Sequence, residues 1–249
     1  MRGLADKGTL ITGGTSGIGL ATAGRFIEEG ARVFIVGNDD AELASALAGL
    51  EGAVAGTVAD VSVEADVERL IAETEGVLGR IDVLINNAGI ARKARFLETS
   101  TEEWDRTIAV NLRGMFLVAR GVARRMTEAG RPGAIVNMAS TNALSGEEDF
   151  AAYNTSKGGV LQLTRTMAVE LAGRGIRVNC LCPGFIDTPL NRALADEEAF
   201  QGYERTRIPL GRRGTAEEVA AAYAFLASED ATFIHGAALV IDGGQTAVM

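Results

Sequence analysis

Tyrosine and lysine side chains lie four positions apart in the stretch YNTSK, residues 153–157. This spacing places Tyr153 and Lys157 on one face of a helix. A phenol normally loses its proton near pH ~10, but a cation within about 4–6 Å favours the phenolate and lowers the pKa. The pair could therefore transfer protons near neutral pH. An isolated Y-x-x-x-K pattern is better explained by a surface tyrosine beside a solvated lysine, because the pattern is common by chance.

Glycines are concentrated in TGGTSGIG, residues 12–19, which ends a short apolar run and begins a helical pattern. Gly13, Gly17 and Gly19 allow a tight turn and a close approach of the backbone to a ligand. The following helix would present unpaired N–H groups and the positive end of its dipole to a pyrophosphate. The spacing G-x-x-x-G-x-G differs from the common G-x-G-x-x-G fingerprint. Its position between strand and helix still favours a dinucleotide site over an ordinary turn.

Seven short apolar runs alternate with longer segments of helical periodicity. The runs are TLIT (9–12), RVFIV (32–36), AVAGTVA (53–59), DVLIN (82–86), AIVNMAS (134–140), IRVNCLC (176–182) and ALVIDG (238–243). Apolar residues at helical spacing occupy 67–78 and 160–172. The alternation predicts an α/β fold with a seven-stranded parallel sheet flanked by helices. No linker or repeat divides the sequence, so residues 1–249 are expected to form a single domain.

The charge and the apolar pattern exclude several classes of protein. A formal net charge of −9 opposes the clustered basic surface that nucleic acids require. No apolar run approaches the ~18–20 residues of a membrane span, and the N-terminus lacks the pattern of a signal peptide. Cys180 and Cys182, which share one face of a strand, predict two core thiols rather than disulfides or a metal site. We expect a cytoplasmic protein without nucleic-acid, membrane or metal partners.

Several motifs follow one another along the whole chain. They are T-G-x-x-x-G-x-G (12–19), NNAG (86–89), Asn111 in VNL, Ser140 at a strand end, Tyr153 with Lys157, and PGFIDT (183–188). In this order and at these intervals they resemble the short-chain dehydrogenase/reductase family. The resemblance implies a Rossmann-like doubly wound fold and an NAD(P)-dependent oxidoreductase that interconverts a secondary alcohol and a ketone.

The resemblance also implies roles for four side chains. Tyr153 would be the general acid in reduction and the base in oxidation, while Lys157 would lower the phenol pKa and hold the nicotinamide ribose. Ser140 would donate a hydrogen bond to the substrate oxygen. Asn111 would hold a water that links Lys157 to solvent. Taken alone, Ser140 is also explained as a strand-end cap, and Asn111 as a group that satisfies helix backbone.

Further positions would contact the cofactor if the resemblance holds. They are Gly13, Thr15, Ser16, Gly17, Ile18, Gly19, Asn38, Asp60, Val61, Asn87, Ala88, Gly89, Val110, Tyr153, Lys157, Pro183, Gly184, Ile186 and Thr188. Asp60 would accept a hydrogen bond from the adenine amine, although a helix cap is an alternative role for it. The NNAG run would brace the cofactor and its strand, although asparagines at a strand end also form turns.

The end of the second predicted strand bears on the choice between NAD and NADP. Family members that use NAD usually have an acidic residue there, and those that use NADP have a basic residue one position later or in the glycine-rich turn. This chain has Gly37, Asn38 and Ser16 at these places and fits neither pattern. Asp39 and Asp40 would repel a 2′-phosphate by about 2–3 kcal/mol per charge pair at ~6 Å and an effective dielectric of about 20. This favours NAD, unless both residues only cap the next helix.

The substrate is less well defined by the sequence. Its expected contacts are Ser140, Asn142, Phe150, Tyr153, Gly184 and Leu190. The least periodic segment, residues 187–213, is a candidate lid. Acidic residues at 147–149 disfavour a strongly acidic substrate if they face the cleft, and the basic run RKAR at 92–95 is expected to be a solvated loop. These features favour a small neutral or hydroxylated alcohol/ketone pair.

Two other functions remain open. An NADPH-dependent 3-oxoacyl-type ketoreductase would need a basic docking patch near the lid, which Arg205, Arg207, Arg212 and Arg213 could supply. A regulator that senses a dinucleotide without turnover would be expected to lack the tyrosine, the lysine or the serine. This chain has all three, which favours the enzyme.

Three expectations concern packing. The resemblance implies a homotetramer, with contacts through the helices that carry Asn111 and Tyr153 and through the tail IDGGQTAVM. Gly158 and Gly159, inside a helical pattern, predict close packing against a neighbouring element, since each glycine costs a helix about 1 kcal/mol. His235 is the only histidine and is expected to have a structural role.

Overall fold

The predicted sheet is present in the computed structural model, which describes residues 1–52, 54–194 and 197–248. Within these residues the strands are β1 (Gly8–Thr12), β2 (Arg32–Gly37), β3 (Val54–Val58), β4 (Val83–Asn86), β5 (Gly133–Met138), β6 (Ile176–Pro183) and β7 (Ala238–Ile241). All pairs are parallel. Position 53 of one predicted strand, positions 195 and 196 of the candidate lid and the last position of the predicted domain lie outside the described residues.

The strands follow the order β3-β2-β1-β4-β5-β6-β7 across the sheet. β1 pairs with β2 on one side and with β4 on the other, so Thr12 lies beside both Val36 and Asn86. The order of the strands therefore reverses between β1 and β4. In such sheets, ligands bind in the crevice outside the carboxyl ends at this switch point. The doubly wound α/β fold expected from the sequence is confirmed.

Helices cover both faces of the sheet. In the described residues they are α1 (Gly17–Glu28), α2 (Asp40–Gly49), α3 (Glu64–Leu78), α4 (Thr101–Ile108), α5 (Met115–Glu128), α6 (Ala151–Leu171), α7 (Pro189–Arg192), α8 (Glu197–Arg207) and α9 (Ala216–Ala227). A π-helical turn, Ala109–Gly114, joins α4 to α5 directly. The predicted helical segment 67–78 lies within α3, and the Tyr153–Lys157 pair lies on the same helix, α6, as most of the predicted helical segment 160–172. Among the described residues, no helix is long and apolar enough to cross a membrane.

Successive side chains of the central strands enter two separate apolar cores. Ile11 belongs to the core that α1 and α9 complete, where Phe26 and Tyr223 are fully buried. Leu10 belongs to the opposite core, which α3 and α5 complete around Leu70. Burying a large apolar side chain contributes about 1.5–3 kcal/mol. Because neighbouring residues of a strand point to opposite faces, a sheet covered on both faces requires the continuous apolar runs of this sequence.

The predictions about cysteines and glycines have different outcomes. Cys180 and Cys182 are free thiols, fully buried in the same core, as expected. Gly159 allows α6 to approach the π-helical turn, because a Cβ at this position would lie 2.7 Å from a side-chain carbon of Leu112. At Gly158, a Cβ would meet no atom within 4 Å among the described residues. Close packing therefore explains Gly159, and the same prediction is wrong for Gly158.

The single histidine has the structural role expected of it. His235 Nδ1 accepts a hydrogen bond from the backbone N–H of Val178 at 3.2 Å. Its Nε2 lies 2.7 Å from the carbonyl oxygen of Ala168. These contacts tie the segment before β7 to both β6 and α6.

Candidate active site

A cavity of about 460 Å³ follows the carboxyl ends of the strands. Predicted site residues that line it are Gly13, Thr15, Ser16, Ile18, Asn38, Asp60, Val61, Asn87, Ala88, Gly89, Val110, Asn142, Phe150, Tyr153, Lys157, Pro183, Gly184, Ile186, Thr188 and Leu190. Four other predicted residues, Gly17, Gly19, Asn111 and Ser140, are not part of its lining. The fold thus brings both ends of the predicted site into one space of the size typical of small-molecule pockets.

The glycine-rich turn and the NNAG run hold each other in place. Gly13 has φ of 63°, and a Cβ on Gly19 would lie only 1.8 Å from the Gly13 carbonyl oxygen. The Asn87 side chain donates to the carbonyls of Thr12 and Gly13 at 3.1 and 3.0 Å. The Thr12 hydroxyl accepts the backbone N–H groups of Asn87 and Ala88. The tight turn therefore needs glycine at both positions and Asn87 braces it, whereas bracing of the cofactor by the NNAG run stays a prediction.

The first turn of α1 faces this cradle. In the described structure, its N-cap residue Ser16 is extended and its side chain makes no capping hydrogen bond. No acidic residue lies in the first helical turn. The first backbone N–H groups of a helix lack partners within it and carry a partial positive charge, which suits phosphate oxygens. The uncapped turn and the glycine cradle fit a dinucleotide pyrophosphate.

Glu42 is an acidic residue of the cavity wall beside the glycine-rich turn. Asp39 caps α2, because its carboxylate accepts the backbone N–H of Glu42 at 2.9 Å. Neither Asp39 nor Asp40 lines the cavity, so the predicted repulsion of a 2′-phosphate cannot be assigned to these two residues. Glu42 does line it, with Oε2 3.4 Å from the Thr15 hydroxyl. Glu42 lies three positions after the helix cap Asp39, and this position in the sequence could have indicated it.

Asp60 has partners within the protein as well as a place in the cavity wall. One carboxylate oxygen accepts from the backbone and hydroxyl of Ser62 at 2.9 and 2.6 Å, and the other accepts from Arg106 at 3.1 Å. Burial raises the pKa of Asp60, but these hydrogen bonds and the charge of Arg106 outweigh it, so the pKa is lowered. Asp60 is therefore an ionised acceptor. Arg106, which the sequence did not indicate, lines the cavity beside it.

Tyr153 and Lys157 lie in the cavity on the first two turns of α6. Lys157 Nζ lies 5.5 Å from the centroid of the Tyr153 ring and donates to the Met138 carbonyl at 2.8 Å. Burial lowers the pKa of Lys157 to about 8 and raises the pKa of Tyr153 to about 12. The expectation that Lys157 lowers the phenol pKa is thus wrong in this structure. Burial penalises the phenolate, and the carbonyl of Met138 holds the ammonium group.

Ser140 lies where β5 ends and contacts two polar neighbours. Its hydroxyl accepts the backbone N–H of Asn142 at 3.2 Å and lies 3.3 Å from Asn142 Oδ1. It also hydrogen-bonds Tyr153, which lowers the phenol pKa against the larger effect of burial. Ser140 therefore both caps the turn after β5, the role it would have as a purely structural residue, and contacts the tyrosine hydroxyl.

Asn111 lies in the π-helical turn and holds the segment after β4. Its Oδ1 accepts the backbone N–H of Ile90, and its Nδ2 donates to the Ile90 carbonyl, both at 2.8 Å. Nδ2 also lies 3.1 Å from the Ser156 hydroxyl. A Cβ on Gly89 would lie 3.3 Å from Asn111 Oδ1 and 3.5 Å from Lys157 Nζ. Asn111 thus satisfies local backbone next to Lys157, and the water relay assigned to it stays a prediction.

The substrate end includes predicted and unpredicted residues. Phe150 meets Tyr153 edge to face, with 6.1 Å between ring centroids. Glu147 faces the cavity, the condition under which it was expected to disfavour an acidic substrate. Lys93 also lines the cavity, so the basic run at 92–95 is not wholly a solvated loop. Phe185 of the predicted motif 183–188 and Asn191, Leu194 and Tyr203 of the candidate lid also line the cavity, whereas the sequence did not indicate Gln245 as a site residue.

The candidate lid forms part of the cavity wall. Leu190 and Asn191 of α7, Leu194 in the turn that follows it, and Tyr203 of α8 contribute to it. Thr188 caps α7 by accepting the backbone N–H of Asn191 at 3.3 Å. Closure of this segment over a substrate stays a prediction.

The fold and this cavity together define a class of protein, the dehydrogenases and reductases that act on CH–OH groups with a nicotinamide dinucleotide. A family model described as enoyl-(acyl carrier protein) reductase matches residues 13–246. The chain belongs to the short-chain dehydrogenase/reductase family. It is an oxidoreductase of that family, with alcohol and ketone substrates.

Three relatives illustrate how closely the chain follows the family. It is 45% identical over 246 residues to 2-(R)-hydroxypropyl-CoM dehydrogenase of Xanthobacter autotrophicus, covering 96% of this chain and 98% of that protein. It is 43% identical over 246 residues to D-threitol dehydrogenase of Mycolicibacterium smegmatis, covering 98% and 94%. The crystal structure of 3-ketoacyl-(acyl-carrier-protein) reductase from Brucella melitensis complexed with NADH has a TM-score of 0.92 and 37% identity, covering 98% and 99%.

The burial of Lys157 makes stability depend on pH. Its folded pKa of about 8 lies below the ordinary value of 10.5, so the unfolded chain binds more protons between these pH values. Through this group, the free energy of unfolding rises with pH from about 8 to 10.5, by at most about 1.4 kcal/mol per pH unit. Urea unfolding of wild type and Lys157→Met across this range should show a shallower rise in the variant.

Lys7→Met provides a matched control, because Lys7 does not line this cavity. This variant should keep the rise seen in the wild type. Equal slopes for wild type and Lys157→Met would contradict the assignment of the rise to the buried ammonium.

Proposed function

We propose that Tyr153 is the general acid/base of this oxidoreductase and that its substrate is a small neutral alcohol/ketone pair. The observation that carries the proposal is a half-buried phenol that hydrogen-bonds Ser140 and has Lys157 Nζ 5.5 Å from its ring centroid, within the cavity that also holds the dinucleotide cradle. Bound NAD(P) would supply the hydride acceptor or donor. The remaining chemistry is proton transfer to or from the substrate oxygen, which the side chains of this chain perform.

The charge states of these side chains support donation of a proton in reduction. With a pKa of about 12, Tyr153 retains its proton at neutral pH. Ser140 would hold the substrate oxygen beside the phenol and stabilise the charge that develops there. Lys157, with a pKa of about 8, remains mostly charged at pH 7 and would hold the nicotinamide ribose. In oxidation the same groups act in reverse, with Tyr153 as the base.

Removal of the phenol hydroxyl should abolish proton transfer while preserving the cavity. In Tyr153→Phe, kcat is expected to fall by about 100- to 10,000-fold, the usual contribution of a positioned acid or base. NADH affinity, measured by nicotinamide fluorescence, should change by less than about threefold, because the ring and its contact with Phe150 remain. Turnover close to that of the wild type would contradict the proposed role of Tyr153.

We propose further that the chain prefers NAD to NADP. Glu42 supports this, because its carboxylate lines the cavity beside Thr15 and Asn38. A carboxylate at this end can accept hydrogen bonds from ribose hydroxyls and would repel a 2′-phosphate. The solved relative in complex with NADH is consistent with this preference.

A pair of charge-neutralising substitutions tests this preference. Glu42→Gln should shift the ratio of the NADPH and NADH dissociation constants by about three- to tenfold towards NADPH, since solvent screens part of the repulsion. Asp40→Asn removes the same charge from the same helix outside the cavity, so the ratio should change by less than about twofold. An equal shift in both variants would indicate a general field rather than a contact of Glu42. Fluorescence titration at fixed salt measures both constants.

The alternative of an acyl-carrier substrate has weaker support in this chain. Arg212 makes a two-point ion pair with Glu218 at 2.7 and 2.9 Å, and Arg213 pairs with Glu204. Two of the four arginines expected to form a docking patch are therefore already engaged by carboxylates. The acidic Glu147 in the cavity also opposes an anionic carrier.

We also propose assembly into a homotetramer through α5, α6 and the C-terminal tail. Large apolar side chains are exposed on these elements, among them Phe116 of α5 and Val169 of α6, which is 82% exposed. Contact with a second copy would bury them. Sedimentation equilibrium should give a mass of about four chains, and a monomer at micromolar concentration would contradict the proposal.

A further inference from the structure

Three polar side chains at the substrate end of the cavity have no part in the proposed proton transfer. Glu147 precedes α6, Tyr203 lies on α8, and Gln245 follows β7. All three line the cavity that contains Tyr153. A few fixed polar groups in a pocket wall determine which ligand it orients. The hydrogen-bonding capacity of these three side chains therefore defines part of the substrate.

Gln245 presents an unpaired acceptor. Its side chain is nearly buried, with 4% exposure, and its Nε2 donates to the Tyr203 hydroxyl at 2.7 Å. Its Oε1 has no hydrogen-bond partner among the residues that the structure describes. A Cβ on Gly184, which lines the cavity, would lie 2.7 Å from this oxygen. A buried acceptor without a partner is unfavourable, and a ligand that donates a hydrogen bond would remove that cost.

The orientation of the Gln245 amide follows from the contacts of Tyr203. Burial and then the charge of Glu147 raise the pKa of Tyr203 to about 12, so the phenol keeps its proton at neutral pH. The Tyr203 hydroxyl accepts from Gln245 Nε2, which leaves Gln245 Oε1 without a partner among the described residues. The Tyr203 ring packs against Phe185 with 5.2 Å between centroids. Asn154 fixes the loop of Glu147 by donating to its carbonyl at 2.8 Å.

The groups that can still form hydrogen bonds with a ligand at this end of the cavity are acceptors. Gln245 Oε1 and the Glu147 carboxylate can each accept a hydrogen bond from a separate ligand hydroxyl. A carboxylate or phosphate cannot donate to them and is repelled by Glu147. Arg207 lines the adjoining space, and its charge acts on Tyr203 in the direction opposite to that of Glu147. This opposing charge favours a neutral donor over an ammonium group.

We propose that the substrate is a diol or polyol, in which a second hydroxyl donates to Gln245 Oε1 and, in a polyol, a third donates to the Glu147 carboxylate, while Tyr153 acts on the reacting carbinol. This inference rests on the proposed function, because Tyr153 fixes which end of the substrate reacts. A simple secondary alcohol would leave Gln245 Oε1 unpaired and would be a poorer substrate.

Matched five-carbon alcohols test the proposal with wild-type protein and NAD⁺. 2-Pentanol has the reacting carbinol alone, and 2,3-, 2,4- and 1,4-pentanediol add a neutral donor at three separations. 4-Hydroxypentanoate adds an anion, and 5-amino-2-pentanol adds a cation. The best diol should exceed 2-pentanol in kcat/KM by at least about tenfold, in line with loss of a buried polar contact, and the anion should be the poorest substrate. Equal values for 2-pentanol and every diol, or a preference for the anion or the cation, would overturn the proposal.

Variants then locate the second hydroxyl. In Gln245→Leu, the ratio of kcat/KM for the best diol to that for 2-pentanol should fall to about one, since the acceptor is lost. Tyr203→Phe should lower the ratio less, because it releases Gln245 without removing it. Gln162→Leu makes the same glutamine-to-leucine substitution at an exposed position of α6 and should keep the wild-type ratio. NADH binding verifies that each variant is folded, and an unchanged ratio in both Gln245→Leu and Tyr203→Phe would overturn the assignment.

Calorimetric titration of the complex of the protein and NADH with the best-binding diol distinguishes this proposal from the proposed function. Diol binding without turnover of any alcohol would contradict the proposed function and retain the second-hydroxyl site. Turnover of 2-pentanol without diol preference would overturn the second-hydroxyl site alone. Absence of both diol binding and turnover would overturn both.

Discussion

The parallel direction of the strands is the constraint on which this active site depends. Because all described strands run the same way, their carboxyl ends share one edge of the sheet, and every segment that leaves a strand there meets its neighbours. The turn after β1, the NNAG run after β4, Ser140 after β5 and Pro183 at the end of β6 are far apart in sequence. They become neighbours only through this common edge.

Hydrogen bonds between these segments convert proximity into a fixed geometry. The Asn87 side chain donates to the carbonyls of Thr12 and Gly13, which links the segment after β4 to the turn after β1. Asn111 hydrogen-bonds the backbone of Ile90, which links the same segment to the π-helical turn. Buried polar groups that are fully bonded hold their positions, because any displacement leaves one of them unpaired. The cavity therefore has a defined shape before any ligand enters.

Local patterns in the sequence predicted those features of the fold and the site that depend on a single element. The spacing of Tyr153 and Lys157, the glycines of the first turn and the apolar runs each reflect a single helix, turn or strand. The roles of Tyr203 and Gln245 could not be found in this way, because they depend on which element folds back against which. The effect of Lys157 on Tyr153 also eluded the sequence, since burial and a backbone carbonyl, rather than spacing, decide where the ammonium charge acts.

The π-helical turn Ala109–Gly114 limits how this chain can vary in length. A π turn holds about one residue more than an α turn, so α4 and α5 are out of phase by about 100° although they form one continuous rod. Asn111 reaches Ile90 from within this turn. Loss of a single residue here would restore a regular helix and rotate one half against the other, together with its contacts to α3 and α6. Insertions and deletions during divergence should therefore be excluded from this stretch, even where amino-acid exchanges are accepted.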